Sequence, residues 1–243
     1  MLRVRYFVKI GVMRKIRDIG ASLLWNIGMG PLARALREPR ELALAYHAIG
    51  KVEGSFAHVT ISFEALKEHI SYLRNRGYVF RQFRDAPVSG GKNAYIYFDD
   101  GFRSVREVVY PYFKNERIPA TLFITTDFIN QKKAQEVYLT WDEVRGMIDV
   151  FEIGSHGARH VKLNKIDVGE AEADMKRSRE EIESHMGAPV QSFSYPKGRS
   201  SPELERAAAR AGYQITTAHP RFHKVRPDPD DTMSIFLWKI ILP

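Results

Sequence analysis

The chain has 243 residues, 44% hydrophobic and 12% aromatic, enough to build one large α/β domain and too apolar for a disordered polymer. It has no cysteine, which excludes disulfides, thiolate nucleophiles and Cys-ligated metals, so any metal must sit on His, Asp and Glu. The net charge of +8 does not indicate nucleic acid: residues 1–40 hold nine Lys/Arg against Asp18 and Glu38, and the remainder is near neutral with no basic face interleaved with aromatics.

In chain order, Ile16, Ile19, Leu23, Leu24 and Ile27 recur at helical spacing while Arg14, Lys15 and Arg17 fall on another face. This predicts a basic amphipathic helical leader over residues 1–40. Three readings stand side by side: packing against the outside of the main domain, peripheral binding to an anionic membrane, or a poor signal anchor. The uncharged run from Ile19 to Ala33 contains Asn26 and Pro31 and is shorter than the ~20 residues a spanning helix needs. There is no clear cleavable signal peptide, so the expected location is cytoplasmic or membrane-associated rather than secreted.

From Glu41 onward, apolar runs alternate with helical patterns. The expected strands are "LALAYH" (42–47), "AYIYF" (94–98), "ATLFIT" (120–125), "FEIGS" (151–155), "VQSFSY" (190–195), "YQITTA" (213–218) and "IFLWKIIL" (235–242). Between them, Ser62 caps a helix with an apolar stripe of Phe63, Leu66, Ile70 and Leu73 that ends near Gly77. Thr140 and Glu143 form a capping box, "VGEAEADMKRSREEIESHMG" reads as a polar surface helix, and "SSPELERAAARAG" has a Ser cap and a proline in its first turn. Alternating elements predict a parallel sheet covered by helices, closed as a barrel or open and doubly wound. No Gly-rich phosphate motif follows any strand. "KVEGSFAHVT" and "HPRFHKVRPDPDDT" read as loops, leaving one domain over 41–243.

In a barrel, reacting groups gather at the carboxyl ends of strands. His47 ends the first expected strand, Asp99 and Asp100 follow the second, His156 and His160 the fourth, and Lys197 the fifth. "SHGARH" sets two imidazoles four residues apart, so a tight turn can aim both at one metal. Two adjacent acids then acquire a purpose: beside a cation held by two neutral histidines, one carboxylate ligates and its neighbour takes a proton from water. A second pair, His219 and His223 in "HPRFH", has Pro220 within it and no acid pair to match, and reads as loop. His58, His69 and His185 lie in polar surroundings and are expected to face solvent. Trp141 and Asp142 either border the groove or serve capping and packing, and Tyr195 either packs in the core or stacks on a sugar.

"YIYFDDGFRS", "FEIGSHGARH" and "FSYPKGRSS", in that order, resemble the polysaccharide deacetylase family, also called the NodB-homology domain or carbohydrate esterase family 4. "LALAYHAIG", "PYFKNERIPATLFI" and "YLTWDEV" are similar to further segments, so the likeness covers about residues 41–243. It implies a TIM-barrel-like, distorted (β/α)7 barrel that hydrolyses N-acetyl groups of an amino-sugar glycan. Carried onto this chain, Asp99 is the base and Asp100, His156 and His160 hold a divalent metal, zinc first, with cobalt, nickel or iron as alternatives. The metal polarises the acetyl carbonyl, and Asp99 deprotonates its bound water for attack.

The chain departs from the family in two places. The third motif usually carries an arginine that orients the base, then proline and an aromatic; here those positions are Ser194, Pro196 and Lys197. The Lys197 backbone N–H remains available to a tetrahedral oxyanion. The late Leu-x-His is missing, and "LALAYH" resembles that motif moved to the amino end, as in circularly permuted deacetylases acting on poly-N-acetylglucosamine. His47 is then the general acid, brought to the mouth by pairing of the first and last strands. The competing functions are a catalytically silent carbohydrate-binding relative and the same hydrolysis on a non-sugar amide.

Overall fold

The computed structural model describes residues 41–50, 54–85, 91–131, 136–218 and 239–241, all within the unit Glu41–Pro243. The leader, the pair His219 and His223, and most of "IFLWKIIL" lie outside the described residues.

Ten strands are described: β1 Glu41–Tyr46, β2 Ala48–Ile49, β3 Thr60–Ile61, β4 Tyr78–Arg81, β5 Lys92–Phe98, β6 Ala120–Ile124, β7 Phe151–Ser155, β8 Ser192–Ser194, β9 Ile215–Ala218 and β10 Lys239–Ile241. Eight form one curled sheet in the order β1-β5-β6-β7-β8-β9-β10, with β4 also paired to β5. Every pairing in it is parallel except β9 with β10. With helices over its outer face, this is the expected distorted barrel. Among the described residues β1 pairs only with β5, and β10 only with β9. The β1–β5 register thus sets His47 next to the acid-bearing strand, while most of the last strand, whose pairing with the first was expected, lies outside the described residues. β4 was not expected: "YVFR" is short, with Val79 49% exposed and Phe80 and Arg81 half-buried, so it carries no clean alternation.

Side chains alternate across β1, β5 and β6, whose two faces are both largely dry. Leu42, Leu44, Ala94, Ile96, Phe98, Leu122 and Ile124 face the main core beneath the helices. Ala43, Tyr95, Tyr97 and Phe123 face the lumen, where the Phe83 ring lies 5.3–5.5 Å from the rings of Tyr95, Tyr97 and Phe123. Below them Glu152 is buried, but its oxygens accept from Ser192 Oγ (2.7 Å), Arg84 N–H (2.9 Å) and Thr121 Oγ1 (3.1 Å). Burial raises its pKa, and those donors act in the opposite direction.

Six α-helices lie among the described residues: α1 Phe63–Asn75, α2 Tyr110–Glu116, α3 Thr126–Asn130, α4 Trp141–Arg145, α5 Val168–Met186 and α6 Pro202–Arg210. The expected caps form: Ser62 accepts from Ala65 N–H, Ser201 from Leu204 N–H, and Thr140 and Glu143 make the reciprocal box. The helical stretch over 105–116 goes beyond the expected set. Pro111 has no N–H to give an α-helical ladder, and the chain winds as a π turn over Val105–Val109 before α2. α5 differs from its reading as a purely surface helix, since it buries Ala171, Asp174, Met175, Ser178 and Ile182. His69, expected in solvent, is also buried, with Nδ1 2.8 Å from the Tyr46 hydroxyl.

Gly154 tests the packing of the lumen. A Cβ there would lie 2.5 Å from the Phe123 ring and 2.6 Å from Ser192 Oγ. Gly154→Ala should therefore cost about 1–3 kcal/mol of stability, read as a lowered urea midpoint at unchanged slope. An unchanged midpoint would contradict the close-packed lumen.

Candidate metal centre

The register of the sheet assembles the site. Tyr46 pairs with Phe98, so the next residues along β1 and β5, His47 and Asp99, leave the sheet side by side, and Asp99 N–H donates to Tyr46 C=O at 2.8 Å. Ile124 pairs with Ser155, and His156 N–H continues that ladder to Ile124 C=O at 2.8 Å. Ser194 ends β8 opposite Thr217.

Asp99 and Asp100 are both buried, as is His156; His160 is partly buried. Asp100 Oδ1 lies 3.1 Å from His160 Nε2 and 3.6 Å from His156 Nε2. Among the described residues these three are the group of His and acid side chains whose ligand atoms converge, all within 4.8 Å of one another. His156 Nδ1 is 2.8 Å from the Ser194 carbonyl and 3.7 Å from Asp99 Oδ1. A carbonyl can only accept, so Nδ1 carries the proton and Nε2 turns a lone pair toward Asp100. Such a contact through the far ring nitrogen is the kind that orients a histidine for metal binding.

The charges are set the same way. Burial holds His156 well below the usual imidazole range and lowers His160 to about 4, with the charges of Lys197 and His47 adding to both, so both rings are neutral. Burial raises Asp100 to about 6, which the Lys197 charge partly offsets. Asp99 is pushed well up, first by burial and then by the charge of Asp100, while a hydrogen bond from the Ser194 side chain acts the other way. Asp99 Oδ1 and Asp100 Oδ1 are buried without a hydrogen-bond partner. Lone pairs of Asp100 and His156 thus face one another across 3.6 Å. Two acceptors in that relation repel unless a cation lies between them, and the donor set of one carboxylate and two imidazoles fits a divalent metal.

Backbone strain gathers here too. Among the described residues, four non-glycine positions have positive φ: Asp100 (72°), His160 (56°), Lys197 (59°) and Arg117 (51°). Arg117 ends α2, and the other three bear on the site.

Of the expected residues, Asp100, His156 and His160 come together directly, with Asp99 against them. His47 is half-buried, and its charge reaches both His156 and His160. Lys197 is exposed in the turn Pro196–Gly198, with its charge felt by Asp100 and both histidines. Ser194, at the position of the family's arginine, still hydrogen-bonds the base candidate. Tyr195 is buried and donates to Leu204 C=O at 3.2 Å, so it packs rather than stacks. Trp141 lies flat on His185 at 4.0 Å and donates to Asn130 Oδ1 at 2.8 Å. Phe128 walls the site, 5.4 Å from the His160 ring.

Two contributors escaped sequence reasoning. Asp174 and Ser178 of α5 bond the segment carrying the two histidines. The signal was the spacing of Ala171, Asp174, Met175, Ser178 and Ile182, a helical stripe holding two polar members. Two clefts of about 340 and 380 Å³ open elsewhere, beside the amino ends of β6, β7 and β8, away from this cluster.

The model of the polysaccharide deacetylase family matches residues 87–216, and the chain belongs to that family. The protein YxkH of Bacillus subtilis (strain 168), whose name assigns it to the polysaccharide deacetylases, is 26% identical over 212 residues, spanning 79% of this chain and 73% of that protein. The poly-beta-1,6-N-acetyl-D-glucosamine N-deacetylase of Staphylococcus aureus (strain MSSA476) is 23% identical over 214 residues, covering 74% of this chain and 73% of the relative. IcaB from Ammonifex degensii has the same fold, with a TM-score of 0.64 at 21% identity over 72% of this chain and 82% of its own.

A ligand that binds only the folded chain stabilises it, by about 2.7 kcal/mol at about one hundred times Kd. Zn2+ should therefore raise the melting temperature of the parent in proportion to log concentration and leave Asp100→Asn unmoved. A parent whose unfolding ignores divalent metals would contradict the site.

Proposed function

We propose that this chain is a metal-dependent N-deacetylase of an amino-sugar glycan. The observation carrying the reading is the buried, unpartnered Asp100 Oδ1 facing two neutral histidines, with a second buried carboxylate beside it. Asp100, His156 and His160 would hold the cation, with zinc the expected metal. When bound, it supplies Lewis acidity to the acetyl carbonyl and makes water a better nucleophile.

The remaining work falls to the chain. Asp99 accepts the proton of the attacking water; its carboxylate, pushed up by burial, is a stronger base than one in solvent, and Ser194 holds it in place. The backbone N–H of Lys197 stabilises the developing oxyanion, and the exposed side-chain charge at the mouth adds to the same field. His47 donates to the departing nitrogen, because an amine anion is too poor a leaving group for the intermediate to collapse forward. The β1–β5 register, which sets His47 beside Asp99, supports that role. An acetylated poly-N-acetylglucosamine is the favoured substrate on the strength of the Staphylococcus relative. The neutral main domain offers no basis for nucleic-acid binding. Residues 1–40, where the excess charge lies, are proposed as a peripheral membrane element of a protein that is cytoplasmic or membrane-associated.

Two variants separate the roles. Asp99→Asn should keep the metal and abolish acetate release, since an amide cannot take the proton, whereas His156→Ala should lose the metal; equal metal loss in both would contradict the division. His47→Ala should retain fold and metal and lose about 10²-fold or more in turnover on an N-acetyl glycan. The loss should shrink on an activated ester, whose leaving group needs no proton. Parental rates on both substrates would remove His47 from the mechanism.

A further inference from the structure

The turn carrying both ligand histidines is held from beneath by α5. The Asp174 carboxylate is buried under it, with Oδ2 accepting from Ala158 N–H at 2.9 Å and Oδ1 from Arg159 Nε at 2.7 Å. One helical turn along the same face, Ser178 Oγ lies 2.7 Å from Ser155 Oγ, which accepts from Gly157 N–H at 3.1 Å. Every residue between the two ligands is thus bonded to Asp174 or to the serine pair. Gly157 allows the close approach: its φ is +77°, and a Cβ there would lie 2.9 Å from Asp174 Oδ2.

The turn needs this support. It ends on His160 in the left-handed region, a conformation that a non-glycine residue keeps only when its surroundings impose it. Asp174 gathers two of the turn's donors onto one buried acceptor group, and bonds to an ionised carboxylate are shorter and stronger than those between neutral partners. An asparagine of the same shape would keep one acceptor oxygen and point N–H groups at N–H groups.

We propose that Asp174 is a positioning residue for the metal centre: through Ala158 and Arg159 it fixes the His156–His160 turn so that both imidazoles converge on Asp100, and thereby sets the affinity for a divalent cation. The proposal rests on the reading of Asp100, His156 and His160 as that centre. Asp174 acts only through the turn.

The test is metal affinity in the full chain, measured for Zn2+ and Co2+ by competition with a chromophoric chelator, together with the visible spectrum of the Co2+ form. Asp174→Asn should bind about 10–100-fold more weakly, the usual scale for loss of an orienting contact, and shift the Co2+ bands. Glu170→Gln, which removes only the exposed second partner of Arg159, should stay at parental affinity. A role confined to stability would lower the melting temperature of the metal-free chain and leave both readouts unchanged. A loss in Asp174→Asn smaller than about fivefold, or an unchanged Co2+ spectrum, overturns the proposal. If that variant does not fold, Arg159→Ala decides, because its side chain is 38% exposed and dispensable to the core: weakened binding supports the clamp, and parental binding overturns it. A parent that takes up neither metal would overturn the metal centre itself and this inference with it.

Discussion

The constraint on which the site depends is the burial of two adjacent carboxylates without a positive partner among their hydrogen bonds. Asp99 and Asp100 are both buried, and each has an oxygen with no donor. Burial raises the pKa of both acids, and for Asp99 the charge of Asp100 adds to that cost. Neutral histidines do not relieve it, because His156 directs a lone pair, not a proton, at Asp100. A divalent cation answers all of these demands together. Held there, it would neutralise the pair, take up the converging lone pairs of its ligands, and favour the ionised form of Asp99.

The barrel exists in service of that arrangement. Parallel strands buried on both faces end at one mouth, and the register alone places His47 beside Asp99 and His156 beyond Ile124. Three of the four non-glycine residues with left-handed backbone among the described residues, Asp100, His160 and Lys197, bear on the site. The surrounding contacts explain how. Ser194 serves twice, its carbonyl fixing the tautomer of His156 and its hydroxyl contacting Asp99. α5 anchors the histidine turn from below. Replacement of the family's arginine at the third motif therefore leaves Asp99 with a hydrogen-bond partner, though a neutral and shorter one.

Much of this was legible in the residues. Apolar runs announced β1, β5, β6, β7 and β9 to within a residue or two, because strands dry on both faces cannot hide their composition. The meeting of "FDDG" with "SHGARH" was legible, since acids and imidazoles set just past the ends of parallel strands come together at one mouth. What escaped depends on contacts through space. β4 is too short and too exposed on one face to show a period. The π turn over Val105–Val109 follows from accommodating Pro111, which a propensity argument treats as a break. Tyr46 buries His69, though the polar neighbours of His69 in sequence suggest solvent. Asp174 and Ser178 sit in a helix polar enough to read as surface, and only the turn packed against it reveals that its inner face is polar for a reason.

The central claim is that Asp100, His156 and His160 together hold one divalent cation while Asp99 stands outside the ligand set. Anomalous diffraction at the zinc edge from crystals of the full chain tests it directly. The account predicts one strong peak about 2.0–2.2 Å from an Asp100 carboxylate oxygen and from Nε2 of both histidines, with Asp99 beyond bonding distance. No peak at this position, or a peak held instead by His219 and His223, would contradict it.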